Sequence, residues 1–286
     1  MSHKPVWEVK TCGRGSWEVS DWATEIKDLS TALTEEEKQS KYAKYYYMGP
    51  AKPSDENLLA ASRIHYLEEK DTYMPEKFAE IMNSPAIEKI RTGYRVMDNG
   101  IGFAVVRVKG AGVTNEKMQF FLDHFNPEGP DLFYKIWFPG THMRHYFDTA
   151  VEDVGCGMEL VKFLEVLDGE KLNIPDSMPG KDEQCIGISG GNGASYPLHQ
   201  DGAEPHYAIA VRYTRETEDG RETIMTFWQG LQWKDGKSVR MIPEGASVPW
   251  NAPRAQVQHS IWELSTEMRN VLLFWEDWHN GYFEEV

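Results

Sequence analysis

The sequence predicts an α+β protein in which a long C-terminal helix packs on an antiparallel sheet. The sheet is indicated by short β-branched segments such as GIGFAVVRVKG at 100–110, and by a hairpin turn signal at Asp219-Gly220. Because the strands precede a single closing helix, sheet and helix are expected to form separate layers. The helix is indicated by apolar residues at spacings of three and four: Ile261, Leu264, Met268, Val271, Leu272 and Trp275.

Shorter helices are expected upstream of the sheet. Thr34 and Glu37 have the spacing of a capping box, in which each side chain bonds the backbone N–H of the other. The segment SDENLLAASRIHYLEEK at 54–70 has helical periodicity, and Thr114 can cap a helix over NEKMQFFLDHF. The sequence therefore predicts two regions, an N-terminal helical region at 1–85 and a domain of sheet and closing helix at 86–286.

Two segments are interpreted from composition alone. LFYKIWF at 132–138 is rich in aromatic and apolar residues and ends at Pro139-Gly140, which favours a strand. GISGGNGAS at 187–195 lacks the G-K-[ST] of a phosphate-binding loop and does not match G-x-G-x-x-G. We therefore expect a flexible loop there.

Composition excludes several classes of function. The formal net charge is −15, from 30 Lys and Arg against 45 Asp and Glu, so nucleic acid would be repelled. No apolar run is long enough to span a bilayer, and the first ten residues do not resemble a signal peptide. The three cysteines are scattered, which favours a reducing compartment. A soluble, cytoplasmic protein is expected, with no nucleic-acid or membrane partner.

The C-terminal helix carries a candidate half of a metal site. His259 and Glu263 are four residues apart, so they share one face of the helix. Imidazole and carboxylate are both zinc ligands, but zinc takes about four, so two more must come from elsewhere. The alternative is a solvent-facing stripe that continues through Glu267 and Asn270. The sequence leaves both interpretations open.

A second group of residues suggests an iron site instead of a zinc site. His199-x-Asp201 followed by the distant His259 has the composition of the facial triad of non-haem iron oxygenases. Arg269 is then a candidate for binding the carboxylate of 2-oxoglutarate. The helical spacing around His259 disfavours this Fe(II)/2-oxoglutarate oxygenase, because its distal histidine belongs on a strand of a jelly roll.

Five segments, in order between residues 95 and 275, resemble the zinc-dependent acylphloroglucinol C–C hydrolases, the family of 2,4-diacetylphloroglucinol hydrolase and phloretin hydrolase. They are GVTNEKMQFFLDHF, LFYKIWFPGTH, VEDVG, RETEDGRETIMTFWQG and HSIWELSTEMRNV.

The resemblance implies a helix-grip fold of the Bet v 1-like or START-like type, in which a curved antiparallel sheet wraps the C-terminal helix. It also implies a Zn²⁺ ion between them. The implied ligands are His124, Glu152, His259 and Glu263, with Glu159 as the alternative to Glu152. A non-enzymatic binder of apolar ligands is the third interpretation, since helix-grip domains often serve that role.

The implied reaction is hydrolysis of the bond between a phloroglucinol-type ring carbon and a ketone carbonyl. His206 is the candidate proton shuttle, Glu263 or Glu152 the base, and Tyr134 a hydrogen-bond donor. Arg212 is a candidate substrate contact, and it stands where relatives tend to carry a histidine. Trp137 and Trp228 are candidate walls of an aromatic pocket. The expected partner is a small phenolic ketone, and the expected assembly is a homodimer.

Overall fold

The computed structural model describes residues 29–62, 66–124, 131–146, 149–153, 158–167, 185–197 and 205–283. Within them the chain is α+β, with an eight-stranded antiparallel sheet and a 29-residue C-terminal helix. The α-helices are α1 Ala43–Tyr47, α2 Asp55–Ala60, α3 Phe78–Met82, α4 Asn115–Asp123, α5 Leu132–Trp137 and α6 Asn251–His279. Short 3-10 turns cover Glu37–Gln39, Glu69–Asp71, Pro75–Lys77 and Pro85–Lys89.

The sheet runs in the order β1-β2-β8-β7-β6-β5-β4-β3, and β9 and β10 form a separate hairpin. The predicted Asp219-Gly220 hairpin is confirmed, because β7 and β8 pair up to Thr217 and Gly220. Gly220 has a φ of +146°, and a Cβ there would lie 2.5 Å from the backbone oxygen of Gly110. The strands are β1 Gly93–Val96, β2 Gly102–Ala111, β3 His142–Tyr146, β4 Thr149–Asp153, β5 Met158–Leu167, β6 Cys185–Pro197, β7 His206–Thr217, β8 Gly220–Gln229, β9 Leu231–Lys234 and β10 Lys237–Arg240.

Alternation along β2 divides the core into two layers, one on each face of the sheet. Ala104 and Val106 face α6, whereas Phe103 and Val105 face α3 and the 3-10 turn at Pro85–Lys89. On the first face, the helix contributes Val257, Ile261, Leu264, Met268 and Val271, all buried. The predicted amphipathic closing helix is therefore confirmed, and its apolar stripe covers the sheet.

The predicted helix starts are confirmed, but two of the helices are short. Glu37 N–H donates to Thr34 Oγ1 at 3.1 Å and Thr34 N–H to Glu37 Oε2 at 2.7 Å, yet only a 3-10 turn follows. Ser54 caps α2, which ends at Ala60. Thr114 caps α4 as expected. The division of the chain at residue 85 stays a prediction, and residues 1–28 lie outside the described part.

Two interpretations from composition were wrong. LFYKIWF forms helix α5, because burying Leu132 and Ile136, four residues apart, satisfies a helical period. The glycine-rich segment belongs to strand β6, between β5 and β7. Its glycines allow close packing, since a Cβ on Gly190 would lie 2.6 Å from the backbone oxygen of Ala210.

No helix in the described ranges is long and apolar enough to cross a membrane.

A buried ion cluster joins β2, β7 and β8 on the face away from α6. Glu222 is fully buried and accepts from Arg107 Nε at 2.6 Å and from Arg215 Nε at 2.7 Å. Glu88 bonds the same two arginines from a side chain that is 61% exposed. The two glutamates thus share partners but differ in desolvation.

We predict that Glu222→Gln lowers the free energy of unfolding by about 3 kcal/mol, because it leaves buried guanidinium groups without their countercharge. The matched control Glu88→Gln should cost less than about 1 kcal/mol, because water screens that pair. Urea denaturation followed by tryptophan fluorescence measures both. Equal losses of stability in the two variants would contradict the conclusion that burial makes Glu222 the more important partner of the two arginines.

Candidate metal centre

Four side chains that can bind a cation converge between α6 and the β3–β4 end of the sheet. One ligand atom from each of His142, His259 and Glu263 lies within 4.8 Å of the others. Glu152 joins them, with Oε1 3.6 Å from His142 Nε2 and Oε2 3.5 Å from His259 Nε2. Glu263 Oε2 is 3.7 Å from the same nitrogen of His259. Two imidazoles and two carboxylates therefore point at one volume.

Regular secondary structure positions all four groups. His142 and Glu152 are direct partners in the β3–β4 register, so they project from the same face of the sheet. His259 and Glu263 lie one turn apart on α6 and project from the helix face that meets this end of the sheet. The strand pair of His142 and Glu152 thus meets the helix pair of His259 and Glu263 at this end of the sheet.

The ring of His142 is held in the orientation and tautomer of a metal ligand. Its Nδ1 lies 3.1 Å from the backbone oxygen of Tyr134, and the two rings stack with centroids 3.9 Å apart. Because a carbonyl only accepts, Nδ1 carries the proton and Nε2 presents its lone pair. That Nε2 is buried and has no hydrogen-bond partner within the described chain. Burial, together with His259, lowers the pKa of His142 well below its usual value, so the ring is neutral.

Tyr134 fixes the first of the two carboxylates. Its hydroxyl donates a short hydrogen bond to Glu152 Oε1. Burial and the charge of Glu152 raise the pKa of Tyr134 well above its usual value, so the hydroxyl keeps its proton and remains a donor. Helix α5 therefore supplies a backbone acceptor for His142 and a hydroxyl donor for Glu152, which is the supporting shell that metal ligands require.

The second carboxylate lies in a strongly anionic, desolvated place. Burial, then the charges of Glu152 and Glu267, raises the pKa of Glu263 to about 8, and Arg212 opposes the shift. Carboxylates crowded in this way gain most from a shared cation. The nitrogen and oxygen donors, the four-ligand count and the unpartnered Nε2 of His142 together fit a divalent metal such as zinc.

The next turn of α6 is also buried, which contradicts the solvent-facing interpretation of the helix. Glu267 and Asn270 have no exposed surface. Glu267 accepts from Trp137 Nε1 at 2.9 Å and from both terminal nitrogens of Arg212. Arg212, predicted to contact substrate, is thus bound to a carboxylate of the protein. Asn270 Nδ2 donates to the backbone oxygen of Ile136 at 2.8 Å and so ties α5 to α6.

The structure does not bring His124 to this centre. His124 Nδ1 lies 2.7 Å from the backbone oxygen of Phe120, and its ring packs 4.9 Å from Phe274 and 5.0 Å from Trp278. Phe274 is about 22 Å from His259 along the helix, at 1.5 Å per residue. His124 thus packs among aromatic rings, and His142 occupies the place that the resemblance implied for His124.

Two further predicted contacts differ from expectation. Trp228 faces away from α6, because alternation turns Phe227 toward the helix and Trp228 toward Phe103 and the backbone oxygen of Tyr73. His206 opens β7 as an exposed residue and pairs with Ser195 in the β6–β7 register. Its role as proton shuttle stays a prediction. Trp137 does lie beside the centre, through its bond to Glu267.

The oxygenase constellation gains no support. His199 and Asp201 lie outside the described residues, and His259 lies on a helix rather than on a strand. Arg269 bonds the backbone oxygen of Gly49 and the side chain of Asn270. Glu159 pairs with Glu152 in the β4–β5 register, but its side chain is outside the described part.

Comparison with known proteins finds similarity to an enzyme. The chain is similar to the phloretin hydrolase of Eubacterium ramulus, at 24% identity over 271 residues that cover 86% of this chain and 93% of that protein. No family model matches the chain. The similarity extends over most of both chains, suggests a common family and supports an enzymatic function.

We predict that Arg212→Met destabilises the fold by about 3–5 kcal/mol, because Glu267 would keep a buried charge without a cation. The double variant Arg212→Met/Glu267→Gln should recover part of that lost stability, because it also removes the buried charge of Glu267. Urea denaturation of Arg212→Met, Glu267→Gln and the double variant measures the difference. A double variant that is as unstable as the sum of the two single variants would show that the pair is not coupled.

Proposed function

We propose that the protein is a zinc-dependent hydrolase that cleaves the bond between a phloroglucinol-type ring carbon and a ketone carbonyl. The products are a phloroglucinol-type phenol and a carboxylic acid. The observation that carries the proposal is the convergence of His142, Glu152, His259 and Glu263, with the buried Nε2 of His142 left for a cation. The similarity to a phloretin hydrolase supports the choice of reaction.

The proposed ligands are the Nε2 atoms of His142 and His259 and one oxygen each of Glu152 and Glu263. This set keeps three of the residues expected from the sequence and replaces His124 with His142. Imidazole and carboxylate without thiolate suit a catalytic rather than a structural zinc site. The sheet beside a long C-terminal helix is compatible with a helix-grip fold, which we propose as the architecture that holds the ion.

The difficulty of the reaction is the leaving group, because an aryl carbanion is too unstable to expel. Protonating the ring carbon of a phloroglucinol gives its keto tautomer, from which the ring leaves as a stabilised enolate. Water adds its oxygen to the carbonyl carbon, the C–C bond breaks, and one proton ends on the ring carbon. When bound, zinc supplies a Lewis acid that polarises the ketone and acidifies water.

The remaining roles in the proposed reaction, those of base, proton donor and pocket wall, are assigned to residues of the chain. Glu263 is the proposed base, because the other carboxylate of the centre, Glu152, already accepts the hydrogen bond of Tyr134. Tyr134 holds Glu152 in place and excludes it from that role. His206 lies on the same face of β7 as Arg212 and remains the proposed source of the ring proton. Trp137 offers an apolar wall for a flat ring.

We predict that chelator-treated protein rebinds about one zinc per chain and that His142→Ala weakens this binding at least about tenfold, since supporting-shell changes alone cost 10–100-fold. The control His124→Ala should bind zinc like the wild type, because its ring packs against Phe274 and Trp278. Calorimetric titration measures both affinities. Loss of zinc in the His124 variant with retention in the His142 variant would refute the ligand set.

We predict that zinc-loaded protein releases phloroglucinol and one equivalent of acid from a panel of acylphloroglucinols. His142→Ala and Glu263→Gln should abolish release, because each removes a proposed ligand, whereas His124→Ala should retain it. Liquid chromatography of the reaction mixture measures both products. Iron-dependent consumption of 2-oxoglutarate, with no free phloroglucinol, would instead identify the oxygenase.

A further inference from the structure

Arg221 is a partly buried cation that the proposed reaction does not use. It lies at the second position of β8, on the face of the sheet that α6 covers, since Met225 and Phe227 on the same alternation pack against the helix. Its Nε is buried and has no hydrogen-bond partner in the described chain. Buried polar groups are almost always satisfied, so an open guanidinium N–H indicates a missing acceptor.

Two charged groups influence Arg221, the guanidinium of Arg212 and the carboxylate of Glu267. Burial and the positive charge of Arg212 lower the pKa of Arg221 to about 10, and Glu267 opposes them. Glu267 is already bonded through both oxygens, by Arg212 and by Trp137. Arg221 stays charged at neutral pH, and its charge has no bonded counterion among these neighbours.

The opposite strand does not supply the missing acceptor. Glu216 is the direct partner of Arg221 in the β7–β8 register, but its side chain is exposed and forms no ion pair with Arg221. Arg215 and Glu222, the next residues along each strand, face the other side of the sheet and bond each other at 2.7 Å. The acceptor must therefore come from outside the described protein groups.

We propose that Arg221 binds a carboxylate of a small molecule on the face of the sheet that α6 covers. The planar guanidinium matches a carboxylate better than any other common anion except phosphate. Glu267, the carboxylate that influences Arg221, lies about 6 Å along α6 from Glu263, on the turn next to the metal ligands. The inference rests on the proposed function, in which the carboxylate belongs either to the released acid or to a carboxyl-bearing acyl chain.

Direct binding tests the subsite without requiring turnover. Chelator-treated full-length protein is titrated calorimetrically with 3-phenylpropanoate and with its neutral amide. The wild type should bind the acid at least tenfold more tightly than the amide. Arg221→Met should abolish this preference, and Arg221→Lys should retain part of it. The control Arg91→Met, which removes the same charge from an exposed residue, should leave the preference unchanged.

Equal affinity of the wild type for acid and amide, or unchanged acid binding in folded Arg221→Met, would overturn the subsite. Kinetics of the zinc-loaded enzyme then separate the two sources. A raised KM confined to substrates with a carboxyl-bearing acyl chain identifies the substrate, and weaker inhibition by the released acid identifies the product. If acid binding depends on Arg221 but no acylphloroglucinol is cleaved, the subsite stands and the proposed reaction fails.

Discussion

The arrangement depends on the burial of two carboxylates and one imidazole along one stripe of the C-terminal helix. Glu267 has no exposed surface and Glu263, one turn away, is 19% exposed, so neither can be left uncompensated at acceptable cost. The protein compensates Glu267 with Arg212 and Trp137. Glu263 is surrounded by the imidazoles of His142 and His259 and by the carboxylate of Glu152. The two carboxylates repel each other in the absence of a cation, and a shared cation would attract all four groups.

Helix α5 is bonded to α6 and orients two of the proposed ligands. It is tied to α6 by the bond from Asn270 to the backbone oxygen of Ile136 and by the bond from Trp137 to Glu267. From that fixed position, Tyr134 orients His142 through its carbonyl oxygen and Glu152 through its hydroxyl. Two strands and two helices thus converge on one volume, and each ligand is held by a backbone element rather than by a loop.

The sequence was sufficient for the class of fold and for the helical half of the site. Periodicity identified α6, and with it the shared face of His259 and Glu263, because helical spacing is a local property. His142 was missed although it ends the matched segment LFYKIWFPGTH, since its role depends on the β3–β4 register with Glu152, which is set by long-range pairing. The same limit explains why the secondary structure of α5 and β6 was predicted wrongly. Both predictions rested on local composition, whereas burial against the assembled sheet determines whether each segment is a helix or a strand.

The central claim is that one cation is shared by His142, Glu152, His259 and Glu263. Crystals of zinc-loaded protein, with diffraction measured on both sides of the zinc absorption edge, locate that ion directly. The account predicts one anomalous peak per chain, within about 2.0–2.2 Å of both Nε2 atoms and of a carboxylate oxygen from each glutamate. A peak beside His124, or one bound by His199 and Asp201 without His142, would contradict it.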